Sequence, residues 1–569
     1  MYKYINLLNF FNQINIIFSP YTKKYLSYIF IMSNFCKPNF LFIMVDEMRY
    51  PPVYENKELI KWQLEKLKAQ QKLKKHGMEF KRHYAGSTAC SPSRATLFTG
   101  QYPSLHGVSQ TSGLAKSAFD PDMFWLDANT VPTMGRYFRT AGYRTFYKGK
   151  WHVSEEDIII PGTKNSLTSY QPITGKPNMD AKLYFDANRL DKYGFDGWVG
   201  PEPHGGNPYN SGASAPTGVG GRDIVYADEV VSLIKNLASD PNDTPWLLVA
   251  SFVNPHDIAL HGDYTNSMPI YDFDVDPSVP DIPPPPTYNE NLDTKPIAQQ
   301  SYKKVYPQAL QPVKLTAEKH RRLYYTLEKK VDDMIDMVLD AIMTTDMYKN
   351  TIIIFTSDHG DQLGAHGLYQ KWYNMYEESI HIPLIFHNPI LFPEQTSTDI
   401  LTSHVDIIPT MLGLAGINVN NLDKKLKSIY ADVKPLVGKK ICFNKNVSKK
   451  LEYHCDANDS PIYFNTFDNP TSGPNQYNQI TGKHYKSVVQ PNAIQAVIAY
   501  LDTNDPNVKY LYKYAKYYDP ESSETQYEMY NVTLDPLETK NLANPSNFFW
   551  RFVHPTLRTI FVPLFLFCC

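Results

Sequence analysis

The chain has few cysteines and almost no net charge. Six cysteines in 569 residues are too few for a disulfide scaffold; Cys442 and Cys455 could pair, but their spacing alone leaves this open. The formal net charge of -2 gives no overall reason to bind nucleic acid or an anionic membrane. Any preference for an anion must therefore come from a local cluster of residues.

Long apolar runs are missing from both ends of the chain. Asparagine and glutamine interrupt every apolar stretch in residues 1–31, and no small-residue cleavage site is clear, so we identify no secretory signal. We treat 1–35 as an N-terminal extension. The apolar tail 546–569 contains basic residues and a proline, which makes it a poor membrane span, although Cys568 and Cys569 could carry lipid. We expect no membrane association, and the compartment, cytoplasmic or secreted, stays open.

Three apolar runs predict buried strands of an α/β sheet, and polar residues follow each of them. The runs cover residues 40–45, 246–252 and 351–357. Ligands of such sheets bind at the carboxyl ends of the strands, so the residues just after these runs are candidates for a site. Helical spacing at 223–237 and 315–343 predicts helices that pack on the sheet.

Two long segments have little periodicity. Residues 160–222 are rich in Gly, Pro, Asn and Ser; such an insertion often forms a wall or lid of a site, so we expect substrate choice to lie there. Residues 268–313 are rich in proline and predict an extended surface loop. We expect a main domain over 36–435 and a smaller C-terminal domain over 436–545.

The run from Cys90 to Gly100 carries the strongest chemical signal. Pro92 prevents an earlier helix start, and residues 93–98 predict the opening of a helix, so Cys90 lies just before a helix N-terminus. Amide donors and the positive end of the helix dipole there favour an anionic group or a developing oxyanion. A thiol phosphatase loop would place more residues, including glycines, between its Cys and Arg, so we do not favour that interpretation.

This run resembles the core motif of the type I sulfatases, C-x-P-S-R followed by T-G, and matches it at every defining position. In that family the cysteine is oxidised to formylglycine, whose hydrated aldehyde is the nucleophile. Three other segments also resemble motifs of this family: G-K-W-H at 149–152, D-H-G at 358–360 and V-D-x-x-P-T at 405–410. The resemblance covers roughly residues 39–543. It implies an α/β fold with a large mixed sheet flanked by helices and a smaller C-terminal α+β domain.

The resemblance also implies a catalytic set, carried over by position. One hydroxyl of the aldehyde hydrate attacks sulfur, an imidazole protonates the leaving alcohol, and the remaining hydroxyl loses its proton to expel sulfate. His256 would be the acid, and His152 would assist the second step. Arg94, Lys150 and Lys371 would neutralise the sulfate. The implied catalytic residues are Cys90, Arg94, Lys150, His152, His256 and Lys371.

One divalent metal is implied as well. Its ligands by resemblance would be Asp46, Glu47, Asp358 and His359, with the modified Cys90 completing the shell. Many members have a second Asp where this chain has Glu47, and several have Asn where it has His359. Oxygen ligands suit Ca²⁺ or Mg²⁺, and an imidazole also admits Mn²⁺ or Zn²⁺. Ca²⁺ is our first expectation, with Mg²⁺ or Mn²⁺ as alternatives.

The sequence thus predicts a sulfuric ester hydrolase that acts on a small-molecule or glycan sulfate ester and is matured by a formylglycine-generating enzyme. Two alternatives stay open. A phosphodiesterase or phosphonate monoester hydrolase of the same alkaline phosphatase superfamily would use nearly the same residues, since sulfate and phosphate esters share their shape and differ in charge. A non-catalytic binder of sulfated ligands would result if Cys90 were never oxidised. Nucleic acid is not an expected partner.

Overall fold

The computed structural model describes residues 37–113, 115–171, 175–203, 208–214, 220–313, 318–430, 433–443, 453–456, 460–474, 476–478, 480–503, 505 and 507–544. The expected N-terminal extension and the apolar tail with Cys568 and Cys569 lie outside these residues. Within them, no helix is both long and apolar enough to cross a membrane.

The described strands form two separate sheets. The strands are β1 (Asn39–Asp46), β2 (Gly77–Tyr84), β3 (Arg144–Gly149), β4 (Trp246–Pro255), β5 (Thr351–Ser357), β6 (Leu384–His387), β7 (Thr396–Ser403), β8 (Ile462–Thr466), β9 (Ala493–Asp502), β10 (Lys509–Tyr518) and β11 (Thr525–Asn531). The first sheet has seven strands in the order β3-β4-β1-β5-β6-β2-β7, and the second has four in the order β11-β10-β9-β8.

Helices flank the large sheet. The α-helices are α1 (Lys57–Lys66), α2 (Lys68–Lys75), α3 (Cys90–Thr99), α4 (Pro103–His106), α5 (Met134–Thr140), α6 (Ala181–Ala187), α7 (Arg222–Ser239), α8 (Ile297–Ala309), α9 (Glu318–Met343), α10 (Glu377–Ile380), α11 (Ile407–Leu414) and α12 (Val419–Leu426). Short 3-10 helices span Asp191–Tyr193, Pro208–Asn210, His256–Leu260, Tyr348–Asn350, Ala365–Gly367 and His404–Asp406.

Strand β1 lies at the centre of the large sheet, parallel to both β4 and β5. Its alternate residues face two separate cores: Phe40 and Phe42 pack in one apolar cluster, and Leu41 and Ile43 pack in another. A strand that is buried on both faces needs apolar residues at every position, which explains the unbroken run over 40–45.

Strand β6 makes the large sheet mixed. It runs antiparallel to β5 on one side and to β2 on the other, whereas β3, β4, β1 and β5 are parallel to one another. The second sheet is antiparallel throughout. The predicted α/β class, with a large mixed sheet and a smaller C-terminal sheet, is confirmed.

Helix α8 corrects the expectation of an extended loop over 268–313. Its residues Ala298, Tyr302 and Val305 recur at helical spacing and are buried in the apolar cluster that covers the small sheet. The proline-rich composition concealed this helix, yet Pro296 stands just before its first residue, where a proline is well tolerated. The small sheet is therefore covered in part by a helix from the middle of the chain. The domain boundary at residue 436 stays a prediction.

The structure also shows whether two cysteines of the C-terminal region are paired. Cys442 and Cys455 form a disulfide, a pairing that their spacing had left open. Cys90 is free and buried.

The small sheet is tied to the rest of the chain by Lys513 of β10, a buried ammonium that lies 3.0 Å from Glu377 of α10 and 2.6 Å from Glu538.

Candidate active site

Parallel strands end at one edge of the large sheet and bring the predicted polar residues together. Strand β1 ends at Asp46, β5 is followed directly by Asp358, β3 by Lys150 and β4 by His256. In the ladder between β1 and β4, Asp46 lies opposite Pro255. Since β1 lies between β4 and β5, its terminal carboxylate is the centre of the site.

Cys90 begins helix α3 beside this carboxylate. All residues of α3 are buried, and Cys90 itself is 1% exposed. Its Sγ lies 3.7 Å from Asp46 Oδ1 and 3.2 Å from His359 Nε2. Burial, together with the Asp46 charge, raises the pKa of the Cys90 thiol. A protonated thiol is a poor nucleophile.

Four buried ligand atoms form a cluster that suits a metal ion. Atoms of Asp46, Cys90, Asp358 and His359 all lie within 4.8 Å of one another. The His359 Nδ1 lies 3.0 Å from the Gly360 carbonyl oxygen, so Nδ1 carries the proton and Nε2 offers its lone pair. Burial and the charge of Lys371 hold the pKa of His359 well below its usual value, which keeps the imidazole neutral.

The carboxylates of this cluster also fit a cation. Burial and the neighbouring Asp46 raise the pKa of Asp358 to about 7. Two carboxylates so close together repel each other unless a positive charge lies between them or beside them. Two acidic oxygens, an imidazole and residue 90 are therefore a donor set that a divalent cation would complete.

Glu47 lies beside this cluster, with Asp46 and His256 as its nearest possible co-ligands. Its backbone is left-handed, with φ of 74°, and its amide donates to Asp358 Oδ1 at 3.1 Å. Its Oε2 accepts from Lys371 Nζ at 2.9 Å. Burial raises the pKa of Glu47 well above the usual value. Its role as a metal ligand stays a prediction.

Arg94 is fully buried and holds the carboxylates in place. Its Nε donates to Asp358 Oδ2 at 2.8 Å and its Nη2 to Asp46 Oδ2 at 2.9 Å. Its Nη1 donates to the Lys150 carbonyl oxygen at 2.8 Å and to Ser251 Oγ at 3.0 Å. The sequence interpretation set Arg94 against the sulfate. The structure shows all of these bonds going to protein groups, and Arg94 is not among the residues that line the neighbouring cavity. Its role toward the sulfate stays a prediction.

Lys150 and Lys371 present ammonium groups on the lining of a cavity of about 520 Å³ that also includes Cys90. Lys150 Nζ lies 2.6 Å from Asp46 Oδ2. Burial opposes the charge of each lysine, but neighbouring acidic groups outweigh it and raise the pKa of both. Two permanent cations therefore face the space next to residue 90.

His256 and His152 lie on the same lining. His256 is partly exposed, with its Nε2 4.0 Å from Glu47 Oε2. Burial and Lys150 hold the pKa of His256 well below its usual value. His152 places Nε2 3.0 Å from Ser112 Oγ. The cavity lining thus offers two imidazoles.

Glu202 supports His152 and was missed by sequence reasoning. Its carboxylate accepts the amide of Trp151 at 3.1 Å and that of His152 at 2.8 Å. His152 has a left-handed backbone, with φ of 53°, and these bonds stabilise it. Glu202 lies in the irregular insertion, where no pattern marks it.

Asp468 is a second residue that the sequence did not reveal. It follows strand β8 of the small sheet and is fully buried. Its Oδ2 accepts the amide of Ala89 at 3.1 Å and Nε1–H of Trp372 at 2.9 Å, and its Oδ1 accepts the amide of Thr111 at 3.0 Å. One carboxylate therefore joins the residues next to Cys90 and Lys371 to a wall of the cavity.

The walls of the cavity come from irregular segments. Residues of the insertion 160–222 line it, as expected, at Lys164, Asn165, Ser166, Thr168, Tyr170, Pro201, Pro203 and Asn210. Residues 111–113 and 115–119 form another part of the lining. Serine, threonine and asparagine side chains there can bind hydroxyl groups of a ligand.

A family model and curated relatives point to one family. A model described as "Sulfatase" matches residues 38–417. An uncharacterized sulfatase, YidJ, of Escherichia coli (strain K12) is 30% identical over 67% of this chain and 68% of its own. A choline-sulfatase of Rhizobium meliloti (strain 1021) is 27% identical over 68% of this chain and 69% of its own. The solved structure of a 2-O GAG sulfatase, BT1596, shares the fold with a TM-score of 0.60 and 19% identity, covering 94% of this chain and 92% of its own.

Proposed function

The chain belongs to the sulfatase family of sulfuric ester hydrolases, and we propose that it cleaves an organic sulfate ester with residue 90, matured to formylglycine, as its nucleophile. The observation that carries this proposal is the position of Cys90. It begins a buried helix, belongs to the cluster of metal-ligand atoms, and shares the cavity lining with Lys150 and Lys371.

Asp46, Asp358, His359 and residue 90 would hold the divalent metal, with Glu47 as a further ligand. Bound there, the metal would act as a Lewis acid beside the nucleophilic hydroxyl of the formylglycine hydrate. The carboxylates favour Ca²⁺, and the imidazole leaves Mg²⁺ and Mn²⁺ as alternatives.

The other residues would bind the sulfate and move protons. Lys150 and Lys371 would neutralise the sulfate oxygens in a buried setting, where charge is worth more than in water. His256 Nε2 would give its proton to the leaving oxygen; the approach of an anionic sulfate favours the protonated imidazole. His152, which also lines the cavity, would assist the second step. Arg94 would keep Asp46 and Asp358 oriented without touching the substrate.

A direct test starts from maturation. We expect coexpression with a formylglycine-generating enzyme to give the tryptic peptide from His83 to Arg94 an aldehyde mass at Cys90. The matured protein should then hydrolyse 4-nitrophenyl sulfate with a kcat/KM at least roughly tenfold above that for bis(4-nitrophenyl) phosphate, a preference of about 1.4 kcal/mol. Steady-state kinetics on both esters would measure it.

The alternatives predict other results. Faster turnover of the phosphate diester than of the sulfate ester would support the phosphodiesterase alternative. An unmodified thiol in the presence of active maturase, together with binding of sulfate esters but no turnover, would support a non-catalytic binder.

Asp468 should act as a positioning residue. Replacing it with asparagine puts an NH₂ group where an oxygen now accepts two N–H donors. Losing such a buried partner costs about 1–3 kcal/mol. Because these bonds hold the residues next to Cys90 and Lys371, we expect their loss to displace both side chains. The kcat for 4-nitrophenyl sulfate should fall roughly 10- to 100-fold, with a smaller change in KM. Kinetics and thermal unfolding of Asp468→Asn would be measured together.

Asp406→Asn is the matched control. Asp406 is also a buried carboxylate that accepts two amides, those of Ser403 and Lys439, each at 2.8 Å, but neither of these partners lines the cavity or is a sequence neighbour of Cys90 or Lys371. It should lose similar stability while kcat is retained. If both variants lose stability and activity in parallel, Asp468 is merely structural.

A further inference from the structure

The aromatic side chains of the cavity already carry cations supplied by the chain itself. The aromatic residues on its described lining are Phe119, Tyr170 and Trp372. Lys164 Nζ lies 5.6 Å from the centre of the Phe119 ring, and Lys371 Nζ lies 5.1 Å from that of Trp372. The Arg222 guanidinium carbon lies 4.5 Å from the centre of the Tyr170 ring.

This arrangement disfavours the binding of a positively charged substrate. A quaternary ammonium group is bound by the negative faces of aromatic rings or by carboxylates. Each ring here has a resident cation over it, and the only acidic residue on the described lining is Glu155. A substrate with a positive head group would meet like charges at every ring.

Lys164 differs from the other lysines of the lining. Lys150 pairs with Asp46, Lys371 with Glu47, and Lys116 with Asp122. Among the residues that the structure describes, no carboxylate pairs with Lys164. It lies near the tip of a small hairpin in which the Ile160 amide donates to the Asn165 carbonyl oxygen.

The volume of the cavity, about 520 Å³, exceeds what a sulfate group alone would fill, since drug-sized ligands occupy pockets of this order. The body of the substrate must therefore lie along the walls. An anionic group on that body would find the ammonium of exposed Lys164, which pairs with no described carboxylate and lies 5.6 Å from the centre of the Phe119 ring.

We propose that the cavity selects sulfate esters that carry a second anionic group, a sulfate or a carboxylate, and that Lys164 binds this group. The proposal rests on the hydrolase function given above. It makes Lys164 a specificity-determining residue and places esters with a quaternary ammonium group among the poorest ligands.

The test is competition against 4-nitrophenyl sulfate turnover by the matured full chain. One pair of competitors is D-glucosamine-2-N,6-O-disulfate and N-acetylglucosamine 6-sulfate, which carry an anionic sulfate and a neutral acetyl group, respectively, on the 2-amino nitrogen. Another is glucuronic acid 3-sulfate and glucose 3-sulfate, which differ by a carboxylate. In at least one pair the second anion should lower the inhibition constant roughly fivefold, which corresponds to the binding free energy of a single exposed ion pair. This difference in inhibition constant should become smaller as the salt concentration is raised. Choline sulfate should inhibit least.

Lys164→Gln should abolish the advantage, and Lys164→Arg should keep it. Lys182→Gln, a substitution of an exposed lysine outside the cavity lining, should change nothing. Turnover of 4-nitrophenyl sulfate reports separately on the hydrolase function. If that ester is hydrolysed but both pairs bind equally, if no sugar inhibits, if choline sulfate binds best, or if Lys164→Gln retains the advantage, the inference is wrong. The pair that responds identifies the second group as sulfate or carboxylate.

Discussion

Replacing Cys90 with alanine is expected to remove turnover of 4-nitrophenyl sulfate by a factor of roughly 10⁴ or more, the loss typical when a catalytic nucleophile is deleted. The methyl group can neither be oxidised to an aldehyde nor supply an oxygen to the metal. Lys150, Lys371 and His256 would stay in place, so binding of the sulfate ester should persist. Kinetics and equilibrium binding of the same ester would separate the two effects.

The fold of this variant should survive. Cys90 is a small buried side chain whose main contacts are polar ones to Asp46 and His359, so its truncation should change the free energy of unfolding by about 1 kcal/mol. Denaturant unfolding of both proteins is the control. Near-normal activity in a folded Cys90→Ala protein would contradict the mechanism, because an alanine at this position cannot supply the nucleophilic oxygen.

The sequence predicts the strands and the ends of the strands well. Apolar runs marked β1, β4 and β5, and the residues directly after them, Asp46, His256 and Asp358, do meet at one edge of the sheet. This works because parallel strands of one sheet share an edge for their carboxyl ends. The prediction for the helix after Cys90 was wrong by one turn: helix α3 begins at Cys90 itself and includes Pro92 in its first turn, where the amide that proline lacks would have no intrahelical partner.

Contacts between distant segments could not be predicted in this way. Asp468 meets Ala89 across 379 positions of sequence, and Arg94 meets Asp358 across 264. A motif shows that a residue is present but not which way its side chain points. Glu202 and Asp468 lie in segments without periodicity, where only the folded chain reveals their partners.

Arg94 is expected to have the second-largest effect. Replacing it with methionine leaves Asp46 and Asp358 as buried carboxylates without their guanidinium. Breaking a buried ion pair in this way costs about 3–5 kcal/mol of stability. The two carboxylates would also repel each other and lose their orientation toward a metal. We expect lower unfolding free energy, weaker metal retention and a kcat reduced roughly 100-fold or more. Chemical unfolding, metal content and kinetics of Arg94→Met would be measured.

Arg94→Lys separates the two roles that this residue could have. A lysine keeps the charge but cannot donate to two carboxylates, a carbonyl and a hydroxyl at once. If Arg94 orients the carboxylates, the lysine variant should lose metal and kcat while KM changes little. If Arg94 instead binds the sulfate, KM should rise while metal content and unfolding free energy stay at the wild-type level. Because its guanidinium is enclosed by Asp46, Asp358, Ser251 and the Lys150 carbonyl oxygen, we expect the first result.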